Sequence, residues 1–214
     1  MASRDEILRE LHVAPEWRLR RRDVAASQEA DVPPERVPIA PLPAASTRLE
    51  RIAALGWDAF AADVEACTAC GLCRTRNRAV PGVGDVRAQW MLIGEAPGAE
   101  EDARGEPFVG QAGKLLDNML AALGMNRRDN VYIANVLKCR PPGNRTPSPV
   151  EVDACRPYLE RQIALIRPRL IVALGKSAAS LLLDTDASIA SLRGRVHRVG
   201  DVPLVVTYHP AYLL

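Results

Sequence analysis

Three side chains that could do chemistry stand where apolar segments of this chain end: Glu95, Asn135 and His209. A carboxylate can position a water molecule, and a side-chain amide offers a hydrogen-bond donor and an acceptor together. A histidine can donate a hydrogen bond to a group that gains negative charge. Each motif alone is weakly specific, but their combination indicates a site that acts on a bound ligand.

Five cysteines suggest a second kind of chemistry. Cys67 and Cys70 form a Cys-x2-Cys pair on one tight turn, and Cys139 and Cys155 could complete a set of four thiolates. Four thiolates suit either a [4Fe–4S] cluster or a tetrahedral zinc ion, and spacing alone does not separate the two. Cys73 extends the first pair to a run like that of bacterial ferredoxins, so by spacing it is as good a ligand as Cys139.

Two loops carry further candidate ligand-binding residues. Phe108, one of only two phenylalanines, lies in a Gly/Pro-rich loop, where it can either pack into the core or form a platform for stacking a flat ligand. Three basic side chains on either side of the loop at 141–144 suit contacts to phosphate groups: Lys138, Arg140 and Arg145. The acidic run at 100–102 is interpreted as a solvated turn, and His12 and His197 are interpreted as structural histidines.

The elements that must position these residues alternate between strands and helices. Short apolar runs predict strands at 90–93, 131–136, 170–174, 195–199 and 204–208. Apolar spacing and capping signals predict helices at 49–66 (one or two), 114–123, 149–166 and 176–183. Such alternation predicts a mostly parallel sheet covered on both faces, in which ligands bind beyond the carboxyl ends of the strands. Glu95, Asn135 and His209 each lie at or after a strand end, so one crevice could collect all three.

Length and composition allow one α/β domain with an appendage. The chain has 214 residues, 48% of them apolar, and a formal net charge of +2, so bulk charge does not indicate a nucleic-acid binder. No apolar stretch approaches the ~18 residues of a membrane span, and the charged N-terminus lacks a signal peptide, so a cytoplasmic location is expected. Thiols stay reduced there, so the cysteines are interpreted as metal ligands rather than disulfides.

Residues 1–46 are interpreted as an accessory arm. A capping box at Ser3 and Glu6 predicts a short helix that ends near Pro15, and a run of prolines predicts a Pro/Ala-rich linker after it. The basic run at 18–22 either forms a solvated face or contacts DNA or a partner protein. Residues 47–214 are expected to form the main domain.

Five motifs in order resemble those of the family 4 uracil-DNA glycosylases, bacterial and archaeal repair enzymes that carry an iron–sulfur cluster. They are Cys-x2-Cys-x-Leu-Cys, Gly-Glu-Ala-Pro-Gly, Pro-Phe-Val-Gly-Gln-Ala-Gly, Asn-Val-Leu-Lys-Cys-Arg-Pro-Pro-Gly-Asn-Arg-Thr-Pro and Tyr-His-Pro-Ala-Tyr-Leu-Leu, between about Cys67 and Leu214. The resemblance implies a three-layer α/β/α fold around a mostly parallel sheet of about four strands. It also implies that a [4Fe–4S] cluster, without Cys73, is held by Cys67, Cys70, Cys139 and Cys155.

The resemblance implies a role for the loop that begins at Gly94. Gly94, Ala96 and Gly98 are expected to contribute backbone groups to the catalytic pocket, and Glu95 is expected to contribute its carboxylate. More distant uracil-DNA glycosylases carry an aspartate where this chain has Ala96. Either Glu95 then positions the attacking water, or the enzyme relies more on electrostatic stabilisation.

Four further residues receive roles from the same resemblance. Phe108 is expected to stack on a uracil that has been flipped out of the DNA. Asn135 is expected to read the Watson–Crick edge of that base, and His209 to face its O2 atom. Leu213 lies where the superfamily places a wedge that fills the gap left by the base.

The function that the resemblance implies is base excision repair of single- or double-stranded DNA. The enzyme would hydrolyse the N-glycosidic bond of uracil and leave an abasic site, without lyase activity. We expect a monomer, and a replication or repair partner could bind through residues 1–46. The family continues after its His-Pro-x-x-Leu-Leu motif with an Arg, a Pro and a basic helix, so this chain is expected to be a truncated form.

Three alternatives stay open. The first is a uracil-DNA-binding relative that traps uracil covalently; that subgroup carries a histidine in the loop after the asparagine, whereas residues 136–150 contain none. The second is a cluster-bearing DNA-binding module without catalysis, which leaves Glu95, Asn135 and His209 unexplained. The third is a small electron carrier, favoured only by the run from Cys67 to Cys73.

Overall fold

The computed structural model describes residues 47–214 of the chain. The predictions for residues 1–46 lie outside the described residues. These are the helix that begins near Ser3, the arginine run and the Pro/Ala-rich linker, and they stay predictions.

A six-stranded sheet forms the centre of the described domain, in the order β1-β3-β2-β4-β6-β5. Its strands are β1 (Val83–Gly84), β2 (Trp90–Gly94), β3 (Val131–Asn135), β4 (Leu170–Leu174), β5 (Val196–Val199) and β6 (Val202–Thr207). The strands β3, β2, β4 and β6 run parallel, and β1 and β5 add antiparallel pairs at the two edges. The four-stranded parallel core and the final strand pair confirm the predicted α/β sheet.

Seven α-helices connect or flank these strands within residues 47–214. They are α1 (Arg48–Ala54), α2 (Trp57–Glu65), α3 (Ala99–Arg104), α4 (Gln111–Ala122), α5 (Pro149–Ile166), α6 (Lys176–Leu183) and α7 (Ile189–Leu192). Three short 3₁₀ helices lie in loops, at Gly71–Arg74, Pro142–Asn144 and Pro210–Leu213. In this part of the chain, no helix is both long enough and apolar enough to cross a membrane.

Alternating side chains of the central strands build a core on each face of the sheet. On one face, Met91 and Ile93 of β2 and Tyr132 of β3 share a cluster with buried residues of α5 and α6. On the other face, Leu92 of β2 shares a cluster with Leu116 of α4. The sheet therefore lies between two helical layers, which confirms the expected α/β/α architecture.

Local signals explain why α5 begins where the sequence predicts it. The Ser148 hydroxyl accepts the Glu151 N–H at 3.4 Å, and the Glu151 carboxylate accepts the Ser148 N–H at 2.9 Å. This reciprocal capping box satisfies backbone donors that have no partner inside the helix. Pro149 occupies the first turn, where its missing N–H costs nothing. The cap sets the start of the helix that carries Cys155.

Among the strands and α-helices, three lie outside the sequence-based predictions: β1, α3 and α7. β1 contains two residues and α7 four, which is too short for a hydrophobic period to be visible. The helix α3 contradicts the interpretation of the run at 100–102 as a solvated turn. Asp102 is 1% exposed, and its carboxylate accepts the backbone and side-chain N–H groups of Asn77 at 3.0 and 2.6 Å. These donors offset the cost of burying the carboxylate.

Candidate active site

The carboxyl ends of the parallel strands bring the predicted ligand-binding residues to one edge of the sheet. Asn135 is the last residue of β3 and pairs in register with Gly94, the last residue of β2. Glu95 follows directly, and its carbonyl accepts the Leu137 N–H at 3.0 Å, so the two segments stay adjacent beyond the strands. His209 follows β6, which belongs to the same parallel set. Ligands of α/β proteins commonly bind at this edge.

A cavity of about 390 Å³ opens at this edge, a size typical of small-molecule sites. Glu95, Asn135 and His209 all line it. Its other lining residues are Ala96, Pro97, Gly98, Glu101, Phe108, Ala112, Pro141, Asn144, Arg145, Thr146 and Ala211. Another cavity, of about 340 Å³ beside Asp153 and Asp184, contains none of the predicted catalytic or metal-binding residues.

Phe108 forms one wall of the cavity and stacks on the His209 ring, with the ring centroids 5.4 Å apart and the planes inclined by 29°. Gly94 lies directly against both Phe108 and Asn135. A Cβ atom at position 94 would lie 2.4 Å from Asn135 Oδ1 and 2.8 Å from Phe108 Cζ, closer than real Cβ atoms approach other atoms. Glycine at this strand end therefore lets the aromatic ring and the amide approach each other.

Asn135 presents its side chain to the cavity from the end of a fully buried strand. The residue is 2% exposed, and its backbone carbonyl accepts a hydrogen bond from the Lys138 ammonium at 2.7 Å. The backbone is thereby held on both sides, by its strand neighbours and by the lysine. The amide can meet a ligand with one donor group and one acceptor.

His209 is held in one tautomer by its own turn. The Ala211 N–H donates to His209 Nδ1 at 3.1 Å, and this hydrogen bond assigns the proton of the neutral ring to Nε2. Burial lowers the pKa of His209 and so favours the neutral ring, while the Glu101 carboxylate acts in the opposite direction. A neutral His209 can therefore serve as a hydrogen-bond donor through Nε2.

Glu95 is half-buried at the cavity. Burial raises the pKa of its carboxyl group, and a hydrogen bond with Ser177 at the start of α6 partly offsets this rise. Gly175 precedes that helix with a positive φ of 94°, and a Cβ there would lie 2.9 Å from His209 Cβ. The glycine thus lets β4 end directly against His209. A raised pKa moves Glu95 toward the range that suits a general base.

Glu101 is a site residue that the sequence-based interpretation missed. Its carboxylate accepts the backbone N–H groups of Gly98, Val109 and Gly110 at 3.1, 3.0 and 3.3 Å, and it lines the cavity. One side chain therefore ties the Glu95 loop to the Phe108 loop. A glutamate three positions after a glycine N-cap is the helix-capping signal that could have identified it.

The prediction that Lys138 contacts DNA phosphate is wrong. Lys138 is 1% exposed, and its ammonium donates to the Asn135 carbonyl and to Gln162 Oε1. Burial lowers the pKa of Lys138 to about 8, and Cys155 and Cys139 partly oppose this change. The ammonium group lies inside the protein, where no phosphate can reach it.

Arg140 and Arg145 are the other two phosphate candidates; Arg145 lines the cavity and Arg140 lies beside it. Arg140 Nε donates to Asn144 Oδ1 at 2.7 Å, and Asn144, which the sequence analysis does not single out, lines the cavity. Arg145 forms two hydrogen bonds with the Glu151 carboxylate, which lower the pKa of Glu151 to about 2, yet its side chain stays 47% exposed. Leu213, the predicted wedge, is exposed in the 3₁₀ helix after His209.

All five cysteines line a separate small cavity next to α5. Cys139 is buried and the other four are partly buried. Burial is the main cause that raises the pKa of Cys139, and Cys70 and Cys67 raise it further. Burial also raises the pKa of Cys155 to about 11, with smaller contributions from Cys139 and Cys67 in the same direction. The two predicted cysteine pairs therefore meet in space, and Cys73 lies beside them.

Nitrogen donors surround the sulfur atoms. Three hydrogen bonds reach them: Arg76 Nη1 to Cys139 at 2.9 Å, the Lys138 N–H to Cys155 at 3.2 Å, and Arg48 Nη2 to Cys67 at 3.8 Å. Hydrogen bonds to sulfur are one means by which proteins tune iron–sulfur clusters. Among residues 47–214, no group of three or more His, Cys, Asp or Glu residues is arranged to hold a single metal ion. Thiols around a shared cavity, with arginine and backbone N–H donors outside them, fit a sulfur-ligated centre.

Comparisons with known proteins point in the same direction. The profile of the Uracil DNA glycosylase superfamily matches residues 81–214 of the chain. A relative from Archaeoglobus fulgidus, named Type-4 uracil-DNA glycosylase, is 47% identical over 165 residues, which cover 73% of this chain and 82% of the relative. Proteins of the same name from Pyrobaculum aerophilum and Thermotoga maritima are 46% and 47% identical over 71% of this chain, and the matches cover 81% and 79% of those relatives.

Proposed function

The chain belongs to the uracil-DNA glycosylase superfamily, among its type-4 members, and on this premise we propose that the cavity at the strand ends binds a uracil flipped out of DNA. The function of the chain is the removal of uracil from DNA in DNA repair. One observation carries the assignment of the site: Glu95, Asn135, His209 and Phe108 line one cavity of about 390 Å³.

The base must leave the duplex before it can react, because the bond to be cleaved is unreachable inside the stack. Unstacking and unpairing take a few kcal/mol, least for a mispaired or single-stranded base. Stacking on Phe108 recovers about 1–3 kcal/mol of this cost. The exposed Leu213 is the candidate wedge for the vacated position.

Asn135 supplies the specificity in this proposal. Its amide oxygen accepts the uracil N3–H, and its amide N–H group donates to uracil O4. Cytosine reverses this pattern, so a cytosine in the cavity would leave buried polar groups unpaired. Lys138 donates a hydrogen bond to the backbone carbonyl of Asn135. This bond restrains the backbone of Asn135 and so helps to keep its side-chain amide directed at the base.

Cleavage of the N-glycosidic bond places negative charge on uracil O2 and positive charge on the sugar. His209 donates its Nε2–H to O2, and one such preorganised donor is worth about 3–4 kcal/mol. Glu95 in its ionised form stabilises the sugar cation and orients water toward C1′. The products are free uracil and an abasic site.

We further propose that the cysteine cavity holds a [4Fe–4S] cluster on Cys67, Cys70, Cys139 and Cys155. A bound cluster supplies a rigid cross-link between distant segments and no step of the reaction. The link to the cavity runs through Lys138, which adjoins Cys139 and holds the carbonyl of Asn135. Visible absorbance with bound iron and sulfide supports the cluster, whereas zinc without iron contradicts it.

For DNA binding we propose Arg140 and Arg145 as phosphate contacts. The substrate is single- or double-stranded DNA, the protein acts as a monomer, and it acts in the cytoplasm, where thiols stay reduced.

Arg140→Ala is expected to weaken binding to an oligonucleotide and to reduce the slope of log affinity against log salt concentration by about 1. An unchanged slope would remove Arg140 from the interface.

The deciding experiment is release of uracil from a uracil-containing oligonucleotide under single-turnover conditions. We expect turnover by the wild-type protein and a rate about 10²–10³-fold lower for His209→Ala. His197→Ala is the matched control, because His197 lies in β5 and bonds the Leu192 carbonyl instead. Binding without release would favour a non-catalytic uracil-DNA binder, and a wild-type rate in His209→Ala would remove its role at O2.

A further inference from the structure

The position of the Phe108 ring depends on an unusual backbone conformation. Phe108 has a φ of 54°, in the left-handed region that residues other than glycine rarely adopt. Gly113 makes room for it, since a Cβ there would lie 1.8 Å from the Phe108 carbonyl oxygen. A conformation of this kind persists only where the surroundings impose it.

Arg127 provides most of that restraint from the carbonyl side. Its Nη2 donates to the Phe108 carbonyl at 2.7 Å and its Nη1 to the Pro107 carbonyl at 3.2 Å. The Asp117 carboxylate accepts Nε and Nη2 at 2.8 and 3.0 Å, and Glu106 accepts Nη1 at 3.2 Å. All three guanidinium nitrogens are bonded, and the side chain is 14% exposed. The arginine is therefore itself fixed in place.

The same peptide unit is held from the opposite side. The Phe108 carbonyl and the Val109 N–H belong to one planar group. The carbonyl accepts from Arg127, and the N–H donates to Glu101 Oε1 at 3.0 Å. Rotation of this plane would break both hydrogen bonds. Arg127 and Glu101 together therefore set the direction in which the Phe108 ring leaves the chain.

We propose that Arg127 is a positioning residue of the glycosylase, acting through Phe108 to hold the surface on which the flipped uracil stacks. Arg127 is not among the residues that line the cavity, so it acts without touching the substrate. The inference rests on the proposed function, because only a stacked base gives the direction of the ring a catalytic consequence. Lysine can replace it only in part, since one ammonium lacks the planar fork that reaches two carbonyls and a carboxylate together.

A double-mutant cycle tests this inference on uracil release from a single-stranded oligonucleotide under single-turnover conditions. Arg127→Ala is expected to lower the rate about 10-fold or more, the scale of one lost stacking contact. In a Phe108→Ala background the same change is expected to cost less than about 2-fold, because no ring is left to position. Arg127→Lys is expected to fall between wild type and Arg127→Ala. Arg128→Ala, which removes the same charge from the exposed neighbour, is expected to leave the rate unchanged.

Two results would overturn the inference: a wild-type rate in Arg127→Ala, or an equal loss in both backgrounds, which indicates general destabilisation. If Arg127→Ala does not fold, Arg127→Lys takes its place in the cycle. If the wild-type protein releases no uracil, the proposed function fails and the inference fails with it. If the wild-type protein releases uracil but the rate losses of Arg127→Ala and Phe108→Ala are additive, the proposed function stands and only the role of Arg127 is overturned.

Discussion

The protonation states of Glu95 and His209 follow from where their side chains lie. Burial raises the pKa of the glutamate and lowers that of the histidine, so both groups are shifted toward their uncharged forms. The Ala211 N–H then leaves Nε2 as the donor of the neutral imidazole. The site thus pairs a neutral donor for the departing base with a carboxylate whose charge depends on pH.

The rate of uracil release should therefore rise with pH as Glu95 ionises. Because its pKa is raised above 4.5, the carboxyl group stays protonated at pH values where an exposed glutamate is already charged, and activity is lost as pH falls through the raised value. Glu95→Gln should remove this acid limb and lower the plateau by about 10²-fold. Single-turnover pH–rate profiles of both proteins measure this. The same acid limb in Glu95→Gln would assign the titration to another group.

Among the elements, β2 and β3 contribute most to the site because their last residues lie side by side. Gly94 pairs with Asn135, and the Phe108 ring covers the glycine. Neither neighbour leaves room for a side chain at that position. The end of β2 therefore requires glycine, because Asn135 of β3 and Phe108 of the loop before α4 both lie against it.

Gly94→Ala is expected to displace the amide of Asn135 and the ring of Phe108. A misplacement of about 1 Å can cost about 10²-fold in rate, so a loss of this size is expected in single-turnover uracil release. Gly56→Ala is the matched control, since a Cβ at position 56 meets nothing within 4 Å. A Gly94→Ala protein that folds and keeps the wild-type rate would contradict the close approach.

Apolar runs and capping signals were sufficient to predict β2, β3, β4 and α5, because each of these elements is encoded locally. The crevice was also predictable, since Glu95, Asn135 and His209 follow strand ends of a parallel sheet. The burial of Lys138 was not, because it depends on Gln162 and Asn135 meeting its ammonium in the folded chain. Tertiary contacts of this kind leave no local pattern.

In the whole molecule, the cysteine cavity joins three segments that are far apart in sequence. They are the loop after α2, the segment after β3 and the middle of α5. Arg48 of α1 adds a hydrogen bond to the Ala154 carbonyl at 2.7 Å beside Cys155, so α1 is tied to the same region. A cluster bound here would link the loop after α2 and the helix α5 to the segment that follows Asn135.

Loss of one proposed ligand should therefore affect the stability of the whole domain. Cys155→Ser is expected to lose visible absorbance and bound iron, and to lower the melting temperature by about 5 °C or more, at roughly 2–4 °C per kcal/mol. Cys73→Ser is the matched control and is expected to keep the cluster and the wild-type melting temperature. If Cys73→Ser loses the cluster and Cys155→Ser retains it, the proposed ligand set is wrong.

The most direct test of the central claim compares uracil with cytosine in otherwise identical oligonucleotides. Wild type should release uracil and leave cytosine in place, because the Asn135 amide pairs with only one of the two edges. Asn135→Asp should lower the rate of uracil release by about 10²-fold or more and reduce the preference for uracil over cytosine. Asn126→Asp should change neither the rate nor the preference. An unchanged uracil-to-cytosine ratio in Asn135→Asp would contradict the account of how this cavity recognises its base.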